Sequence, residues 1–221
     1  AREEALAVLQ TIVAHPQVSE PVITRQQLGR LSAMVEAQLN SWPPDRDAWI
    51  GDRALGMHAY ELVRAGRLLE LLTEDELKRF SEEGIVGELP AAAQRNVNGD
   101  ERFYLEAMRK IIEACDRPYF ERERVLVGIR EQLQEGRNAP QFPLVAGRLL
   151  LVDMEKGHAL QARDRACCEA WALALAVASG RQSPPYEVSP LWGGKYEVVV
   201  AEGLVRVGGA CPDERNACPE A

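Results

Sequence analysis

Five cysteines, three histidines and the acidic residues are the side chains of this 221-residue chain most able to do chemistry, and one cysteine pair has an informative spacing. In "CPDERNAC", Cys211 and Cys218 stand seven apart, each followed by a proline, Pro212 and Pro219. Such a short terminal loop suits a disulfide, and closing its eight residues would constrain the unfolded chain by roughly 2.5 kcal/mol. The alternative is two surface thiols in a reducing compartment, and thiol counting on unreduced protein separates the two. Cys167 and Cys168 are adjacent on a predicted helix, where neighbouring side chains diverge by about 100 degrees, so each reads as a small core residue. Cys115 lies on an apolar stripe and reads the same way.

The remaining chemistry-bearing residues form no complete motif. His15, His58 and His158 are isolated and no C-x-x-C occurs, so no metal site is expected. A Cys-His nucleophile stays open, because such partners meet in space and not along the chain. The chain has no G-x-S-x-G elbow, no phosphate-binding G-x-x-x-x-G-K-[ST] and no G-x-G-x-x-G, and no cofactor is expected. "LWGGKYE" carries a Gly pair and a Lys, but it precedes a strand instead of a helix and reads as turn chemistry. An acidic pair such as Glu61 and Glu70 would serve glycoside hydrolysis only if both faced one cleft. Of the tryptophans, Trp49 and Trp171 are candidates to line an interhelical pocket, and Trp192, in a Gly-rich turn, is the candidate ligand or partner contact.

A formal net charge of -8 and the lack of any block of Lys or Arg remove the electrostatic footprint of a nucleic-acid-binding protein. The densest charge run, Arg117 to Arg130, alternates in sign and reads as a solvated helix face. The apolar run "WALALAVA" falls far short of the ~20 residues that cross a bilayer. The chain opens on Ala1-Arg2 instead of Met, which reads as a processed or trimmed start; membrane attachment is expected only through an anchor upstream.

These residues need a scaffold, and the periodicity supplies a helical one. Helices are predicted over 3–14 and 25–40, the second opened by a capping box at Thr24 and Gln27. One or two more follow from Asp45 to near Leu72, then a short one capped by Thr73 and Glu76 and stopped at Gly84. "GIVGELPAAAQRNVNGD" reads as a connection or a lobe boundary near 84–99. Helices resume at Asp100 with a stripe of Tyr104, Met108, Ile111 and Cys115, and Pro118 leads a charged helix to about Glu135. A helical pattern over 143–179, with an interruption at Gly157, ends in the central buried helix over 158–179. Tyr196, Val198 and Val200 then alternate toward Glu202-Gly203, and Val205 and Val207 continue beyond it. This predicts a hairpin pairing Val200 with Val205 and Val198 with Val207, its apolar face covered by the end of the preceding helix.

An apolar helix, a short Pro-containing linker, "SPLWGGKYEV" and a hairpin together resemble the C-terminal half of type II secretion pseudopilins, in which a D-P-W/F-G-x-P-Y segment enters a small antiparallel sheet. Pro190, Trp192, Gly193 and Tyr196 match that pattern; Ser189 stands for its Asp, Leu191 is inserted and Lys195 replaces its second Pro. The likeness covers about 50 residues, and the largely helical residues before it set the chain apart from a pilin subunit. It implies a bacterial envelope protein that ends in such a segment behind a helical domain.

The expectation is therefore a mainly α protein, a helical bundle or array over 1–179 with a β-hairpin appendage over 180–221 closed by Cys211 and Cys218. The leading functional expectation is a non-enzymatic, extracytoplasmic interaction or scaffolding domain of a membrane-anchored bacterial protein, its partner an unidentified protein. The alternative is an all-α ligand-binding or regulatory domain with an interhelical pocket.

Overall fold

The computed structural model describes residues 23–137, 142–182, 186–201 and 204–209. The predicted helix over 3–14 and the Cys211–Cys218 loop lie outside them. The fold is mainly α with a two-stranded antiparallel hairpin, as expected. In chain order the α-helices are α1 (Arg25–Asn40), α2 (Asp45–Arg64), α3 (Glu74–Glu82), α4 (Leu89–Arg95), α5 (Val97–Ala114), α6 (Tyr119–Glu135) and α7 (Met154–Ser179). A 3-10 turn, Leu68–Leu71, follows α2, and a π turn, Ala146–Leu150, precedes α7. The strands are β1 (Tyr196–Ala201) and β2 (Leu204–Gly209).

Local chemistry sets most of these boundaries. Both predicted capping boxes form: Thr24 and Thr73 each accept from the backbone N–H three residues on, and Gln27 and Glu76 reach back to the cap N–H. Each such cap is worth about 1 kcal/mol. Helices α2, α3 and α7 stop at Gly66, Gly84 and Gly180, each with φ of 73°, where any side chain would be strained. The stretch over 84–99 differs from its expected role as a connection. It holds α4, because Pro90 sits in the first turn, where a missing N–H costs nothing. Helix α5 likewise starts at Val97, before Asp100. The predicted interruption at Gly157 falls instead at residues 151–153, just after the π turn.

The described residues form two compact units, Pro43–Gln161 and a second that joins the described residues up to Trp42 with those from Ala162 onward. Stretch 84–99 lies inside the first. Its core is built from α2, α5 and α6, where Tyr60, Val63, Tyr104, Met108, Ile111, Leu126 and Ile129 are buried. Full burial of one such side chain contributes about 1.5–3 kcal/mol. Helices α2 and α5 meet at Gly56, where a Cβ would stand 2.1 Å from the Tyr104 hydroxyl; that hydroxyl donates to the Asp52 carbonyl at 3.1 Å.

In the second unit, Arg181 donates to the Glu36 carboxylate at 3.0 Å, and Glu36 also accepts from the Ser32 hydroxyl at 2.8 Å. Ala166, Ala172, Leu173 and Ala176 of α7 are buried. The hairpin has the predicted register, with Val198 opposite Val207 and Val200 opposite Val205. Its cover is where expectation and structure part. Tyr196, at the root, donates to Glu169 at 3.0 Å and to the Ala166 carbonyl at 3.3 Å on α7, but Val198 and Val200 are 38% and 62% exposed. On the same face Val205 and Val207 are half-buried, and Tyr196 is the residue that hydrogen-bonds to the helix.

Candidate ligand-binding cleft

The site in Pro43–Gln161 starts from a buried carboxylate. Asp100 occupies the first turn of α5 and is 1% exposed. It accepts from the Tyr60 hydroxyl at 2.6 Å, from the Val145 N–H at 2.7 Å and from the Ala146 N–H at 2.9 Å. Burial pushes its carboxyl above the usual range, while these hydrogen bonds pull the other way. All three donors are N–H or O–H, so the geometry fits the ionised form. Burial and the Asp100 charge in turn push the Tyr60 phenol far up. Asp100 thus caps, from 45 residues away, the N–H groups at the start of the π turn.

The π turn forms one wall of a cleft of about 410 Å³. Gly147 lies in it, and a Cβ there would stand 2.6 Å from the Phe142 ring and 2.9 Å from Leu133, so glycine is what lets both side chains close on this wall. The Leu151 N–H donates to the Ala146 carbonyl at 2.8 Å, the i to i+5 bond of a π turn, a geometry frequent at functional sites. Opposite are Phe80 of α3, Ile111 of α5, and Leu126 and Ile129 of α6, an apolar floor. Met154 and Glu155 at the start of α7 complete the lining.

The rim is charged. Arg79, Arg130, Arg137 and Arg148 line the cleft together with two carboxylates, Glu83 and Glu155. Arg130 donates to Glu155 at 2.5 Å, and Arg148 to Glu83 at 3.2 Å. Arg79 lies 4.8 Å from the centre of the Phe80 ring, and neither Arg79 nor Arg137 has a carboxylate partner among the described residues. Gln134 adds a neutral polar group. The described lining contains no histidine, cysteine, serine or threonine, and both acids are held by arginines.

A second polar cluster lies on the same helices. Arg122 of α6 is 6% exposed, in contrast to the solvated face expected for its charge run. Its guanidinium donates to Asp45 at 2.7 Å, to the Arg117 carbonyl at 2.6 Å, and to His158 Nδ1 at 3.3 Å. His158 is fully buried and stacks on Trp49 with ring centroids 4.1 Å apart. With Nδ1 accepting, the imidazole proton sits on Nε2, which has no hydrogen-bond partner among the described residues. Desolvation and the Arg122 charge push the His158 pKa down to about 3, so the ring is neutral at ordinary pH. Burial raises the Cys115 thiol to about 11, which favours the protonated thiol near neutral pH.

The other candidate residues take different places. Trp49 does not line the cleft: its indole N–H donates to Gln161 at 3.0 Å, and it packs so close to Gly157 that a Cβ there would meet its ring at 2.9 Å. Trp171 belongs to the other unit and is half-buried. Trp192 is also half-buried, and its Nε1 is enclosed, not presented to solvent, with no hydrogen-bond partner among the described residues. Glu61 and Glu70 pair locally with His58 and Arg67, and neither lines the cleft. No helix among the described residues is long and apolar enough to cross a membrane. No protein-family model, curated protein or solved structure matches the chain.

Proposed function

We propose that this chain is a ligand-binding module that takes a small molecule into the cleft between α3, α5, α6 and the π turn, without transforming it. The observation that carries the reading is the cleft itself. At about 410 Å³ it falls in the range of roughly 300–1,000 Å³ typical of small-molecule sites, with an apolar floor and a few polar groups at its edge. Its lining supports binding over catalysis, because it offers no nucleophile and its two carboxylates are occupied by Arg148 and Arg130.

Calorimetric titration with decanol, a neutral apolar probe, tests it. Saturable binding is expected with the native protein. It should be lost in Gln134→Trp, which places an indole at the cleft edge from an exposed position on α6. Absence of saturable binding by decanol and by its charged analogues alike, or decanol binding that Gln134→Trp leaves intact, would contradict the reading.

A second reading, an extracytoplasmic interaction or scaffolding domain of a membrane-anchored bacterial protein, draws on the hairpin. Val199, Val200 and Leu204 are 53%, 62% and 47% exposed, and beyond the Tyr196 N–H, which donates to the Glu187 carbonyl at 3.1 Å, β1 has no strand partner other than β2 among the described residues. Such an edge is suited to receive an extended segment of a protein partner.

A further inference from the structure

The charge of the cleft rim points to the chemistry of its occupant. Four guanidiniums and two carboxylates line it, leaving an excess of two positive charges in a chain whose net charge is -8. Two of the guanidiniums, Arg130 and Arg148, are neutralised by Glu155 and Glu83, and the excess resides on Arg79 and Arg137. Beneath them Phe80, Ile111, Leu126 and Ile129 are each less than 7% exposed and present only carbon. A cationic ligand would meet like charge, and a fully apolar one would leave two fork-shaped donors unused. A polyanion would find only two spare charges on an otherwise acidic molecule.

We infer that the cleft binds an anionic amphiphile, a single carboxylate or phosphate head held by Arg79 and Arg137 with an aliphatic tail lying on the Phe80–Ile129 floor. The inference rests on the ligand-binding reading above and adds the charge and shape of the ligand. Guanidinium suits either head, since its planar N–H donors match two oxygens of a carboxylate or a phosphate. The tail supplies most of the affinity through burial, and the head fixes orientation.

Titration of the full chain with decanoate, decyl phosphate, decanol and decyltrimethylammonium distinguishes the possibilities. Decanoate, decyl phosphate or both should bind about tenfold more tightly than decanol, and decyltrimethylammonium least of all. Whichever anion is preferred identifies the head. Arg79→Gln and Arg137→Gln should each weaken the preferred anion by about fivefold and leave decanol unchanged. Both side chains are exposed, so melting temperatures should hold, and on the native protein added salt should weaken the anion alone. Equal affinity for decanol and the anions, with no effect of the arginine variants or of salt, overturns the anionic assignment while the cleft reading stands. Failure of all four probes to bind overturns both.

Discussion

At the residue scale, three buried polar side chains organise the unit that carries the cleft, and all of them sit on apolar stripes. Asp100 precedes Tyr104, Ala107, Met108 and Ile111 at helical spacing, and all of these are buried. Arg122 shares a face with Tyr119, Leu126 and Ile129, and His158 shares one with Ala162 and Ala166. His158 yields a pH prediction. Its pKa in the fold, about 3, lies below the unfolded value of 6.5, so the unfolded state binds the extra proton. Stability should be unaffected by this group above pH 6.5 and decline as pH falls below it, by about 1.4 kcal/mol per unit from this residue alone. Urea melts between pH 7 and 5 should show that decline, and His158→Phe, which retains a ring against Trp49, should flatten it. An equal slope in the variant would assign the effect to other groups. The sequence carried a signal for these residues, a charged or polar side chain in register with an apolar stripe. Reading 117–130 as a uniformly solvated run missed Arg122, because alternating charge says nothing about which face a given arginine occupies.

At the element scale, the helices with strong local chemistry were legible and the π turn was not. Capping boxes at Thr24 and Thr73 and the stop at Gly84 are local signals, and the structure places those boundaries where they point. The π turn is fixed by distant groups: Asp100 caps its start, while Phe142 and Leu133 occupy the space that a Cβ at Gly147 would need. No window around 146–150 contains that information. Gly147→Ala therefore tests the wall of the cleft. The Phe142 ring and Leu133 would have to move, with an expected cost of about 1–3 kcal/mol in denaturant unfolding and weaker decanoate binding. An alanine variant as stable as the native protein, with unchanged binding, would mean that the wall tolerates the extra methyl group. The hairpin shows the opposite balance. Its register follows from alternation alone, but the cover for its valines is a tertiary matter, and Val198 and Val200 remain exposed beyond the Tyr196 anchor.

At the scale of the whole molecule, the mainly α class followed from helical periodicity over most of the chain and strand alternation confined to its end. The cleft did not, because its lining comes from α3, α5, α6, the π turn and the start of α7, and only packing brings Arg79, Arg137 and the Phe80–Ile129 floor around one space. The tryptophans expected to mark a pocket are engaged elsewhere: Trp49 stacks on His158 and donates to Gln161. The proposed function places a small ligand in this cleft. Amide chemical-shift mapping during titration with decanoate tests it most directly. Saturable shifts are expected, centred on Phe80, Ile129, Gly147 and Leu151, with little change in β1 and β2; the absence of saturable shifts, or shifts centred on Val199 and Leu204 of the hairpin, would rule out binding in the cleft.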